Sequence, residues 1–280
     1  PRTDPGPVPF DHAGQTAIYI DPALSERITI ARHGPWLDEP DSVVSRQKNV
    51  KRQIAYGIIN RRLQRLARAE DPPFQGAGLG TGEVFEAGRT TRLIVDAGDG
   101  EWRRALSAAQ EVVRRALEYG FTEAEVAEQL ANLRTSLENN VSGAATRHNN
   151  SYITAALTLL DNRQVPTTPQ SALARFEEHL PQITPESVMA ALKEELVPLD
   201  NPLIRFEGRI PPEGGEEALR AAWEEGSLAE LSRQEQAASS EFAYTDFGAA
   251  GTVVSDETGQ LGIRQLGFAN GLKLNLKPTQ

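Results

Sequence analysis

The sequence predicts an α+β domain built as one sheet with helices on one face, and three observations lead there. Short β-branched or alternating runs occur at 27–31 and 89–97. Long amphipathic patterns of helical period lie between and after them, over 41–68 and 101–119. A continuous helical stretch then runs to a closing apolar segment, Leu203-Ile204-Arg205-Phe206. Strands interleaved with helices, followed by helices and a last strand, belong to the layered α+β class.

Taken in order, residues 1–17 are dominated by Pro, Gly and Asp and read as a connector. Arg27-Ile28-Thr29-Ile30-Ala31 reads as the first strand. Asp38 to Asp41 leads into a helix in which Val43, Val50, Ile54, Ile58 and Leu66 share a stripe. Arg46, Lys48, Lys51, Arg52, Arg61, Arg62, Arg65 and Arg68 occupy its other faces, and Asp71-Pro72-Pro73 stops it. Two strands are expected over 74–85 and 89–97, with Gly98-Asp99-Gly100 turning the chain. The helix at 101–119 presents Trp102, Leu106, Val113 and Leu117 inward. Thr122 and Glu125 form a capping box that opens a helix to about residue 138. Another helical stretch covers 151–160. Thr168-Pro169 and Thr184-Pro185 each set a cap residue before a proline suited to a first helical turn.

Composition changes after Arg209. Between Glu213 and Asp246 nine acidic residues face two basic ones, and apart from a short helix anchored by Leu219 and Trp223 the stretch reads as linker. Strand character returns over 261–276, where Leu272, Leu274 and Leu276 alternate. A chain that opens at Pro1, holds Met189 as its one methionine and stops at Lys277-Pro278-Thr279-Gln280 is expected to be a piece of something longer.

At 280 residues, with 39% hydrophobic and 24% charged, the chain can bury a sizeable core. A net charge of −10 argues against a nucleic-acid partner, since phosphate neutralisation needs a basic surface. The absence of cysteine excludes disulfides, thiolate zinc sites and cysteine catalysis, and suits an exported bacterial protein. No apolar run approaches the ~20 residues of a membrane span.

Candidate chemistry is sparse. His12, His33, His148 and His179 are scattered, with no pair at the spacing that sets two ligands on one helical face. Arg175-Phe176-Glu177-Glu178-His179 comes nearest to an inverted zinc motif, yet Arg175 stands where the first imidazole is needed and would repel the metal. A solvated helix end is the expectation for that run. Gly76-Ala77-Gly78-Leu79-Gly80-Thr81-Gly82 fails both the dinucleotide and the P-loop patterns. Strand glycines more often mark a bulge or the close approach of another backbone; the alternative is a glycine-rich strand that could pair with an extended peptide. The helix over 41–68 carries eight cations against Asp41 alone, so it is either a solvated face or a face docked on acidic groups elsewhere in the parent protein. No serine with a local base and no carboxylate pair stands out, so catalytic, cofactor-binding and metal residues are all expected to be none.

Tyr244-Thr245-Asp246-Phe247-Gly248, Gly251-Thr252-Val253-Val254 and Phe268-Ala269-Asn270-Gly271-Leu272-Lys273-Leu274-Asn275, in that order, resemble the linker and opening strand of the second half of pitrilysin/insulinase-type (M16) metallopeptidases. Upstream, Asn60-Arg61-Arg62-Leu63-Gln64-Arg65-Leu66 followed by Pro73-Phe74-Gln75-Gly76-Ala77 is similar to the family's helix-then-strand step. Phe121 to Val126 and Ile183 to Val188 resemble the starts of its later helices. The resemblance implies a mostly antiparallel sheet with helices on one face. It makes 18–211 the second, non-catalytic domain, 212–260 an acidic interdomain linker and 261–280 the first strand of the following domain. It further implies a parent zinc endopeptidase whose zinc lies in another domain, so no ligand falls here. Implied partners are the other domains of the same chain and peptide or unfolded protein substrates, with no nucleic acid and no membrane span. The periplasm is the implied compartment and the cytoplasm the alternative. A scaffold or binding module of an inactive M16-like protein is the alternative function.

Overall fold

The computed structural model describes residues 6–232 and 248–277, which fall into two compact units, Pro1–Arg233 and Gln234–Gln280. The first unit is one five-stranded sheet with helices against it. Its strands are β1 (Gln15–Ile20), β2 (Arg27–Pro35), β3 (Gly76–Val84), β4 (Gly88–Asp96) and β5 (Leu203–Gly208), in the order β1-β5-β2-β4-β3. Only β1 and β5 run parallel; every other neighbouring pair is antiparallel.

Strand alternation decides which face is covered. Ile28, Ile30, Leu79, Leu93, Val95, Ile204 and Phe206 point to one face and are buried there. Arg27, Arg92 and Arg205 point to the other and are exposed. The covered face receives α1 (Val43–Ala67), α2 (Trp102–Tyr119), α6 (Pro185–Glu195) and α7 (Gly215–Leu228). Each fully buried Ile or Leu there contributes about 1.5–3 kcal/mol. α3 (Glu123–Ser142) and α5 (Pro169–His179) pack on each other, and α3 reaches α1. α4 (Asn149–Asn162) leaves Tyr152, Ile153, Leu157 and Leu160 exposed.

Local capping chemistry places the helix starts. Ser42, Thr122, Thr168 and Thr184 each accept a hydrogen bond from the backbone three residues on, with full capping boxes at Ser42, Thr122 and Thr184.

Several expectations are corrected. Val43 is exposed because it is the first helical residue of α1, ahead of the core, and Leu66 is only partly buried. The buried stripe is Ile54, Ala55, Ile58, Ile59 and Leu63. Arg52, assigned to an outer face, is buried. The short helix expected at Leu219 and Trp223 is fourteen residues long, and it docks on α2. There Gln110 donates to Trp223 O (2.9 Å) and Ser227 Oγ (2.9 Å), while Arg114 donates to Gly226 O (2.6 Å) and Ala229 O (2.9 Å). β1 begins at Gln15, within the stretch read as connector.

The second unit is a three-stranded antiparallel sheet, β6 (Val253–Thr258), β7 (Arg264–Phe268) and β8 (Lys273–Leu276). The strand character of 261–276 is thus two strands joined through Asn270-Gly271, where Gly271 takes φ 86 and Asn270 Oδ1 accepts from Leu272 N at 3.1 Å. Leu272, Leu274 and Leu276 are exposed, and the described residues of this unit contain no α-helix. Residues 244–247 of the resemblance lie outside the described residues. No helix among the described residues is long and apolar enough to cross a membrane.

Candidate functional site

The glycine-rich run becomes β3, an edge strand of the main sheet. Its odd residues Ala77, Leu79 and Thr81 face the core, and its even residues 76, 78, 80 and 82 are all glycine. The outer sheet face at this edge is therefore bare backbone. It floors a groove of ≈ 650 Å³ walled by Thr90, Arg92, Ile94 and Asp96 of β4. A Cβ built at Gly80 or Gly82 meets nothing within 4 Å, and neither residue has a positive φ. Packing within this chain does not require glycine there, although glycine weakens a strand by about 0.5–1 kcal/mol per residue. Glycine without an internal reason suits the close approach of another chain.

In an antiparallel pair, backbone groups alternate between the partner strand and the far side. That alternation turns the N–H and C=O of Ala77, Leu79, Thr81 and Glu83 to the outer edge. Leu79 is already occupied, because Asn60 of α1 accepts from its N–H (2.8 Å) and donates to its C=O (3.0 Å). The carboxamide imitates one residue of a neighbouring strand and guards part of the edge. A second groove, of ≈ 610 Å³, runs between α1, α3 and the start of β3; Asn60, Gln64, Gln75, Gln129 and Asn132 line it with Arg61 and Arg68. Carboxamides and guanidiniums can bind a peptide backbone or a carboxylate. They do not exchange protons near neutral pH, so this lining suits hydrogen bonding rather than proton transfer.

Behind the edge, Tyr56 donates to Thr81 Oγ1 (2.6 Å), the Thr81 and Thr91 hydroxyls lie 2.7 Å apart, and Thr91 Oγ1 accepts from Val197 N (2.8 Å). Burial raises the Tyr56 phenol and the neighbouring Glu195 carboxyl above their ordinary values. Arg52, with a side chain 6% exposed, sits beside them and donates to both oxygens of Glu39 (2.6 and 3.0 Å) and to Asn49 (2.9 Å). Hydrogen bonding to Arg52 holds Glu39 below the usual carboxylate range.

The basic helix is neutralised largely within its own unit. Arg46 pairs with Asp41, Lys48 with Glu39 and Glu194, Arg61 with Glu128 and Arg62 with Glu125. The acids that the docked-face alternative placed elsewhere in the parent lie on adjoining segments of the same fold.

The histidines do not fit a zinc centre. His12 and His33 approach each other (ring centroids 5.7 Å apart), but His12 Nδ1 lies 3.2 Å from the Arg32 guanidinium and His33 Nδ1 lies 2.7 Å from Thr90 Oγ1. His179 is not a solvated helix end: it is 3% exposed, and burial followed by Lys51 lowers its pKa. Its motif neighbours turn elsewhere, Arg175 to Thr167 and Glu177 to Arg134. Among the described residues no three His, Asp or Glu side chains converge as metal ligands. Sequence reading missed Asn60 and Arg52, whose roles depend on elements distant in the chain, although the period-two glycines were legible.

Neither a family model nor a curated protein matches the sequence. Solved structures do match. The periplasmic protease PqqL from Escherichia coli superposes with a TM-score of 0.71 at 16% identity, covering 98% of this chain and 31% of that one. The first half of the same protease gives 0.67 at 16% identity, over 79% of this chain and 48% of that one. A peptidase M16 inactive domain from Pseudomonas fluorescens gives 0.52 at 18% identity, over 71% and 45%. The fold is that of an M16-like peptidase domain. The chain spans less than half the length of each of these neighbours.

Proposed function

We propose that the chain is the non-catalytic domain of a zinc-dependent M16 endopeptidase, together with the linker and opening strands of the domain that follows. It helps enclose peptide substrates and supports a zinc domain lying elsewhere in the parent. The observation that carries this reading is a match extending over 98% of the chain to a protease of which it covers 31%. Coverage falls to 79% when the comparison is with the first half of that protease, a loss about the size of the small second unit. That drop favours the second unit as the start of a second half.

Within the enclosed space, the outer edge of β3 on either side of the Asn60-bonded Leu79 holds an extended peptide by backbone pairing, supplying position and no chemistry. The periplasm is the compartment this reading favours. The alternative, a binding module of an inactive parent, draws on the inactive M16 domain among the neighbours.

The test compares the chain alone with the chain joined to the polypeptide encoded upstream of it. The chain alone should bind no stoichiometric zinc and cleave no unfolded protein, whereas the longer protein should cleave and lose activity to a chelator. Chelator-sensitive cleavage by the chain alone would overturn the proposal. An inactive longer protein that still binds peptides would favour the scaffold.

A further inference from the structure

The groove of ≈ 610 Å³ between α1, α3 and the start of β3 holds polar groups that the fold does not use. α1 contributes Asn60, Gln64 and Arg68 to it at helical spacing, α3 contributes Gln129 and Asn132, and Gln75 precedes β3. The helices approach closely at Gly57, where a Cβ would meet Gln129 Oε1 at 2.6 Å. Asn60 has both ends of its amide committed to Leu79. Among the described residues, the side chains of Gln64, Gln75, Gln129, Asn132 and Arg68 have no hydrogen-bond or ion-pair partner. No Asp or Glu lines the groove, in a chain of net charge −10. Of its two guanidiniums, Arg61 is matched by Glu128 of α3 and Arg68 is left uncompensated.

α1 and β3 lie side by side and antiparallel, since Tyr56 meets Thr81 and Asn60 meets Leu79. Arg68 therefore belongs to the end of the groove where β3 begins. The stretch from Gly57 to Arg68 is about 16 Å of helix, the length of about five extended residues. Ala77 lines the groove and turns its N–H and C=O to the outer edge, in phase with Leu79. A peptide running antiparallel to β3 past Ala77 delivers its C-terminal end to Arg68. Each carboxamide offers a donor and an acceptor to the peptide backbone, and a guanidinium grips a carboxylate through two parallel bonds. The C-terminal dipole of α1 opposes an anion there with about half a charge, against the full charge of Arg68. The guanidinium prevails.

We propose that this groove binds the carboxylate-bearing end of an extended peptide. Arg68 holds the carboxylate, and Gln64, Gln75, Gln129 and Asn132 hold the backbone before it. The inference rests on the reading of β3 as a peptide-docking edge and adds to it a class of substrate. A free C-terminus and a Glu side chain at the peptide's end offer the same chemistry, and the test separates them.

Three N-acetylated hexapeptides of Ala and Ser are titrated into the whole chain: one with a free C-terminus, one amidated, and one amidated with Glu as its last residue. NMR follows the side-chain NH2 groups of the groove and the backbone amides of Thr81 and Glu83. At least one carboxylate peptide should bind about tenfold more tightly than the neutral one and shift the groove NH2 signals, and the one that gains identifies the source. Arg68→Gln should abolish that gain. Arg65→Gln, which removes an exposed cation of α1 outside the groove, should leave it intact. Equal affinity for all three peptides, no shift of the groove NH2 signals, a gain that survives Arg68→Gln, or an equal loss in Arg65→Gln would each overturn the proposal. The peptide comparison on the unmodified chain decides even where a variant folds poorly. Shifts at Thr81 and Glu83 that persist with the neutral peptide would leave the docking edge standing when the carboxylate site fails.

Discussion

Replacing Gly80 and Gly82 by valine separates stability from function. Both residues lie on the outer face of β3, neither has a positive φ, and a Cβ at either enters open space. Glycine costs a strand about 0.5–1 kcal/mol relative to a residue with a side chain, so the double variant should gain about 1–2 kcal/mol. At about 2–4 °C per kcal/mol for a unit of this size, its Tm should rise by roughly 2–8 °C. Urea denaturation should show the gain as a raised midpoint with an unchanged m-value. In the longer protein the same valines crowd the positions where side chains of a paired peptide would sit. Loss of about 1 kcal/mol of cross-strand fit lowers kcat/KM about fivefold for peptides with large residues at alternate positions. Peptides with small residues there should be affected less. A destabilised double variant would refute the reading of the glycines as free of internal packing. A stabilised variant that processes both peptide classes normally would refute β3 as a docking edge.

Other perturbations follow from the buried contacts. Arg52→Met leaves Glu39 with Lys48 alone and removes the cation beside the already raised Glu195, and should cost about 3 kcal/mol by urea denaturation; a loss under about 1 kcal/mol, typical of a surface pair, would contradict the burial assigned to Arg52. Gly226→Ala drives a methyl into the Gln110 carboxamide, so it should lower Tm through loss of the α2–α7 bonds, with faster exchange across α7. An unchanged Tm would show α7 to be loosely attached. His179 is buried and lowered, so its contribution is complete above pH of about 6.5 and drains away as pH falls towards the lowered value. His179→Phe should flatten this part of the stability–pH curve, and a curve parallel to that of the unmodified chain would count against a buried neutral imidazole.

Local chemistry was legible in the residues themselves. Thr122, Thr168 and Thr184 cap helices because a hydroxyl three residues before a free N–H needs no distant partner. The alternation of Ile28 and Ile30, and of Leu93 and Val95, fixed the covered face of the sheet for the same reason. β1 was not legible: it pairs in parallel with β5, almost the whole domain away in sequence, and its exposed edge shows no clean alternation. Nor could one cation of α1 be told from another. Arg52 and Arg65 are the same residue type on one helix, yet only the arrival of Glu39 and of the end of α6 makes burial of Arg52 tolerable.

The sequence by itself determined the α+β class, the helix starts, the glycine period of β3 and the lack of paired histidines, since each depends on residues within a few positions of one another. The tertiary structure alone decided that the glycine strand lies at an edge, that Asn60 guards it, that the basic helix finds its acids at home and that His12 meets His33. Those outcomes depend on which distant segments the packed core brings together, and no short window of sequence contains both partners.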